Sequence, residues 1–198
     1  MVEVPISRRS LLLFGVGMAW GAERQMHLSL LPLYTKDYPA VSSDFLNAAS
    51  AALQKTYRVV TASSKPEFYD GAGEGSVLLD YLAAREGRVM GVMSAPLRAM
   101  SANSSALSNV CGNAYIPNDL REWPRAAIIT TYEFRNMAED AAQRHLGVVA
   151  VHELGHNLGA WDCQDRSCYM YEEIDISGRH LPSKFCAKHR DLLWQFLR

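Results

Sequence analysis

The sequence predicts an α/β layered domain followed by a smaller, loop-rich tail. Two observations lead to this. Short apolar runs alternate with segments of helical periodicity, the pattern that stacks helices on a sheet. A long helical segment, residues 136–158, then ends at Gly159, and only one further short helical stretch follows. The 198 residues suit one domain with one sizeable core.

The elements follow in order. Residues 26–33 (MHLSLLPL) read as a first strand. Ser43 or Asp44 caps a helix in which Phe45, Ala49, Leu53 and Tyr57 recur at steps of four. Residues 59–62 form a second strand, and Gly71, Gly73 and Gly75 mark a loop. Residues 76–85 form a second helix that Gly87 stops, and residues 88–93 a third strand. Residues 101–109, rich in Ser and Asn, read as a loop. Residues 113–116 give an edge strand and residues 126–131 a core strand. In the long helix, Glu139 and Asp140 lie in the first turn, where the helix dipole favours acids. The last element is a helix over residues 183–198, just after Pro182, with Phe185, Leu192, Leu193, Phe196 and Leu197 on its apolar side.

Composition narrows the class of function. The chain is 48% hydrophobic and 21% charged, with a formal net charge of −1. Such a chain presents no global field to recruit nucleic acid or an acidic membrane. Residues 1–21 stand apart. They carry Ser7-Arg8-Arg9-Ser10, an apolar run to Trp20, and small residues at Ala19 and Gly21. This resembles a twin-arginine export signal with a cleavage site, so the expectation is an exported protein, periplasmic or secreted. No other segment is apolar enough to cross a membrane. Cys111, Cys163, Cys168 and Cys186 are the four cysteines, an even number that suits two disulfides in an exported chain. A twin-arginine substrate crosses already folded, however, and a thiolate-bound metal can travel with it.

The chemistry concentrates in residues 151–162, VHELGHNLGAWD. His152 and His156 are four apart, so a helix places both imidazoles on one face, one turn apart. Zinc suits imidazole and carboxylate ligands and keeps one position for water at a catalytic site. Glu153 can accept a proton from that water. Gly159 permits a left-handed turn that brings Asp162 back toward the metal. The His-Glu-x-x-His spacing alone arises by chance in about one chain in a hundred, but the added Gly159 and Asp162 lower this to roughly one in ten thousand.

The extended pattern resembles the zinc signature of metzincin metallopeptidases. The continuation Asp162-Cys163, then Cys168-Tyr169-Met170, then Cys186-Ala187-Lys188-His189, is similar to the archaemetzincin (archaelysin) family. The resemblance covers about residues 151–189. It implies a metzincin-like, mixed twisted sheet of the α+β kind with an active-site helix and a small C-terminal subdomain. The mature domain would span residues 22–198, its N-terminal subdomain 22–159 and its C-terminal subdomain 160–198. It also implies a catalytic Zn2+ on His152, His156 and Asp162, Glu153 as general base, and Met170 as the Met-turn residue. A second, structural Zn2+ would sit on Cys163, Cys168, Cys186 and His189. Asp162 stands where the family usually has His, as in snapalysin-type metzincins, and His189 replaces the last Cys. Cys186 and His189 are three apart near a helix start, so they share a face. The rival arrangement is two disulfides, Cys163–Cys168 and Cys111–Cys186. Under the zinc arrangement Cys111 is a leftover buried thiol.

The expected activity is hydrolysis of peptide bonds in a peptide or protein substrate. The substrate adds as an extended strand to the sheet edge. Tyr169 or Tyr171 could stabilise the oxyanion. The alternative is a catalytically inactive, zinc-stabilised binding protein of the same fold, for which the retained Glu153 would have no use.

Overall fold

In β1 (Met26–Tyr34), Leu28 and Leu30 are buried on one face and Leu31 and Leu33 on the other, which marks a strand covered on both sides. The computed structural model describes residues 25–71, 73–100, 107–116, 125–173 and 180–197. The export-signal expectation, on residues 1–21, lies outside them, as does most of the 101–109 loop. Among the described residues no helix is long and apolar enough to cross a membrane.

The remaining elements are α1 (Ser43–Thr56), β2 (Val59–Ser63), β3 (Glu67–Phe68), α2 (Gly75–Ala83), β4 (Val89–Met93), β5 (Arg98–Met100), β6 (Leu107–Asn109), β7 (Gly112–Ala114), β8 (Ala126–Thr130), α3 (Glu139–Asn157) and α4 (Ala187–Leu193). The sheet runs β2-β1-β4-β8-β7, with β3 pairing β1 beyond the end of β2. All neighbours are parallel except β7, which runs antiparallel to β8 at the edge of the described sheet. The expected mixed α/β sheet is therefore present.

Alternation along the central strands sorts the core into two layers. Leu30, Met90, Val92, Ala127 and Ile129 face α1 and α3, while Leu31, Leu33, Met93 and Ile128 face α2. Gly147 of α3 lets the helix approach α1 closely, because a Cβ there would stand 3.0 Å from the Ala52 Cβ.

Several boundaries differ from expectation. The 107–109 end of the expected loop is a strand, β6, held by antiparallel pairing to β5. The edge strand occupies Gly112–Ala114 rather than 113–116, with Tyr115 N–H donating to the Ala126 carbonyl at 3.2 Å just beyond its end. A 3₁₀ turn, Tyr132–Phe134, takes up the approach to α3, which begins at Glu139 rather than 136. The last helix is shorter than residues 183–198. Lys184 bridges Cys168 and Cys186 is extended, so α4 begins only at Ala187.

Candidate active site

The site is built on the second half of α3, where every residue from Val149 to Leu158 is buried. His152 and His156 point their Nε2 atoms at the same place, 2.9 Å apart. Each ring is fixed from behind. The His152 Nδ1–H donates to the Tyr169 carbonyl at 2.8 Å, and the His156 Nδ1–H to the Ala160 carbonyl at 2.8 Å. In the neutral rings that tautomer leaves both Nε2 atoms as acceptors. A proton on His156, whose affinity for it Asp162 raises, satisfies the contact in the metal-free protein, and a metal ion held by both rings would satisfy it when bound.

Gly159 makes the arrangement possible. At φ 91° it sits in the left-handed region, as the sequence predicts, and turns the chain back on the helix end. Ala160 N–H then donates to the Gly155 carbonyl at 3.0 Å. Asp162 follows, its Oδ1 3.3 Å from His156 Nε2 and 3.6 Å from His152 Nε2. The three donors expected from sequence thus lie within 4.8 Å of one another. Two imidazoles and one carboxylate with this convergence fit a zinc ion with a position left for water.

Electrostatics agree with a site made for a cation. Burial, then the neighbouring His156, lowers His152 to about 4 in the metal-free protein. The hydrogen bond from His156 holds Asp162 below the ordinary carboxylate range, despite its partial burial. Burial raises Glu153 to about 7. Glu153 is buried beside the first imidazole, and its carboxylate lies against Gly112 of β7. A Cβ at that glycine would stand 2.5 Å from Glu153 Oε1.

Met170 is fully buried against Gly155, between the two histidines; a Cβ at Gly155 would overlap its Sδ. Tyr169 acts through its carbonyl, while its ring packs on Phe185 at 5.2 Å.

The second donor set also assembles. Cys163 Sγ lies 3.8 Å from Cys186 Sγ, and His189 Nδ1 lies 3.4 Å from Cys168 Sγ and 3.2 Å from Cys186 Sγ. All four atoms fall within 4.8 Å of one another, a closed set of the structural kind. The four cysteines are free, so neither disulfide of the rival arrangement is formed. Cys111 stands apart, half-buried against the core, where burial pushes its thiol up to about 12.

Other contributors carry no motif. Tyr57 donates its hydroxyl to the Val151 carbonyl at 2.8 Å, inside the core and next to His152. Asn157 donates to the Tyr115 and Ala126 carbonyls at 3.3 and 3.2 Å, and its own carbonyl accepts from Arg88 at 3.1 Å, which ties the end of α3 to the sheet. Gly112 has the one readable signal among them: a lone glycine in a strand marks a close approach.

No family model matches the sequence, and no curated protein sequence matches it either. Solved structures do. Archaemetzincin from Methanopyrus kandleri superposes with a TM-score of 0.63 at 22% identity, over 86% of this chain and 94% of that one. Archaemetzincin from Archaeoglobus fulgidus, complexed with malonate, gives 0.64 at 17%, over 84% and 99%. A zinc-dependent peptidase from Methanocorpusculum labreanum gives 0.56 at 18%, over 85% and 99%. Over most of its length the chain has the archaemetzincin fold, with His152, Glu153, His156 and Asp162 gathered on it.

Proposed function

We propose that the protein is a zinc-dependent metallopeptidase that uses Glu153 as its general base. The observation that carries this is the convergence of His152, His156 and Asp162 on one point beside a buried carboxylate. Zinc bound there supplies a Lewis acid that polarises the scissile carbonyl and makes water nucleophilic near neutral pH. The chain's own residues do the rest. The Tyr169 and Ala160 carbonyls hold the imidazoles in the ligating tautomer. Glu153 takes the proton of the attacking water and passes it to the leaving amine. An extended substrate adds at β7, the edge of the sheet among the described residues, which brings its peptide across Glu153. The thiol and imidazole donors at Cys163, Cys168, Cys186 and His189 hold a second, structural zinc.

The test is metal counting joined to a generic peptide assay, with Glu153→Ala as control. Two zinc ions per chain, and hydrolysis lost in the variant with zinc retained, are expected. Two zinc ions with no hydrolysis across a peptide panel would instead indicate the binding protein.

Export is part of the same proposal. Ser7-Arg8-Arg9 and the apolar run after it support a cleaved twin-arginine signal. Expression of the full chain in a bacterium should yield an extracytoplasmic form beginning near residue 22. Cytoplasmic retention of an uncleaved chain would refute it.

A further inference from the structure

The two donor sets share their supports. Asp162 of the first set and Cys163 of the second are consecutive residues. Cys168 of the second set precedes Tyr169, whose carbonyl orients His152. Two of the three contacts that the tail makes with the imidazoles of α3, the Asp162 carboxylate and the Tyr169 carbonyl, therefore lie one peptide from a thiol donor; the third is the Ala160 carbonyl.

The two arms are also tied to each other. Cys163 N–H donates to the Met170 carbonyl at 2.7 Å, Glu172 N–H to the Cys163 carbonyl at 3.2 Å, and Tyr171 N–H to the Cys168 carbonyl at 2.9 Å. The third arm enters from the start of α4. Lys184 offers its carbonyl to Tyr169 N–H at 2.7 Å, and Cys186 N–H points at Cys168 Sγ at 3.3 Å. Apolar packing holds this lattice weakly at its outer end, since the Asp162 side chain is 46% exposed and Cys163 and Cys186 are only half-buried. An ion joining the four donors is the strongest constraint available to it.

We infer that Cys163, Cys168, Cys186 and His189 are positioning residues for the first metal site, so that the two sites bind metal with positive cooperativity. This rests on the reading of both donor sets as metal sites. An ion among the thiolates fixes the Asp162 carboxylate and the Tyr169 carbonyl, and the first site then binds without first ordering them. Partners of this outer kind typically govern metal affinity about 10–100-fold. Linkage also demands reciprocity: an ion at the first site raises the affinity of the second by the same factor.

Cobalt(II) titration of the metal-free full chain tests this, because only the thiolate site gives a sulfur-to-cobalt charge-transfer band. In His189→Ala, first-site affinity should fall about 10–100-fold, and His189→Cys should restore it. In His156→Ala, the charge-transfer band should titrate more weakly by the same factor. A His189→Ala chain with the thiolate site empty and first-site affinity within about twofold of wild type would overturn the inference. Should His189→Ala fail to fold, the wild-type titration decides: the two sites filling as one cooperative transition supports the coupling, and two independent isotherms refute it. A wild-type chain that takes no ion at His152, His156 and Asp162 is a different failure, removing the proposed function as well.

Discussion

Gly112 offers the sharpest test of how closely the site is fitted. Its φ is outside the left-handed region, so alanine meets no backbone strain there and the effect is steric alone. The new Cβ would stand 2.5 Å from Glu153 Oε1, 2.6 Å from Cγ and 2.7 Å from Cδ. Ordinary carbon contacts begin near 3.5 Å, so something must retreat by about 1 Å. β7 is poorly placed to move: it pairs with β8 at all three residues, and the Cys111 carbonyl accepts Thr130 N–H at 2.9 Å. The Glu153 carboxylate must give way instead. Misplacing a catalytic group by about 1 Å costs on the order of 10²-fold in rate. Gly112→Ala should therefore lose roughly 10²-fold in kcat on a fluorogenic peptide, with little change in KM, because the lost contact belongs to the transition state. Zinc content should be unchanged, since no donor atom is touched. A variant with full zinc and kcat within about threefold of wild type would refute the claim that β7 sets the position of Glu153.

The other predictions are these. Gly155→Ala forces its methyl into Met170 Sδ and within 3.2 Å of the Tyr57 hydroxyl, and should destabilise the protein by about 1–3 kcal/mol, read as a lowered denaturation midpoint; an unchanged midpoint would show that Met170 is free to move. Glu153 contributes stability to the metal-free protein that is lost as pH rises. Its carboxyl is held near 7 in the folded chain against an ordinary value near 4.5, so the folded state binds more protons between those values. Between pH 5 and 8 this contribution falls by about 2–3 kcal/mol, against an opposite gain from His152, whose lowered value adds stability as pH rises. Glu153→Gln should therefore gain about that much on wild type in going from pH 5 to pH 8 in urea unfolding, and an identical pH dependence in the variant would exclude Glu153 as a source. Finally, Asp162→His raises the formal charge of the zinc site from +1 to +2. The acidic limb of the pH–rate profile should move down, and coincident limbs would refute the electronic argument.

Helix α1 was legible from its amphipathic steps, since Leu46, Ala49 and Leu53 line one buried side. Helix α3 was legible for a different reason. Its second half is enclosed by α1, β7, β8 and the tail, and the helix as a whole has no one-sided pattern, so its metal motif and Gly159 mark it instead. Strands β3, β5 and β6 are two or three residues long and owe their existence to pairing partners, which no local pattern records. The final helix is shorter than its apolar residues suggest: Phe185, Leu192 and Leu193 suit a helix, while Lys184 and Cys186 are engaged with Cys168. Within the site, the ligands could be read because helical spacing and one glycine bring them together. The Tyr57 hydroxyl could not, because it reaches the helix from 94 residues away through a contact that residue type does not announce, and Gly112, whose residue type does hint at a close approach, lies one residue outside the expected 113–116 strand.

The burial of the second half of α3 has a bearing on how the proposed peptidase would accommodate different substrates. A rod wedged tightly over its second half cannot slide or roll without opening voids in a close-packed interior. The distance between its two imidazoles is thus preset before any substrate arrives. Accommodation falls to the borders of the helix: the side chains of the short rim strand, whose backbone is pinned to β8, and the half-exposed turn bearing Asp162. Selection among substrates would then evolve by changing these borders, while the rod between them stays as it is.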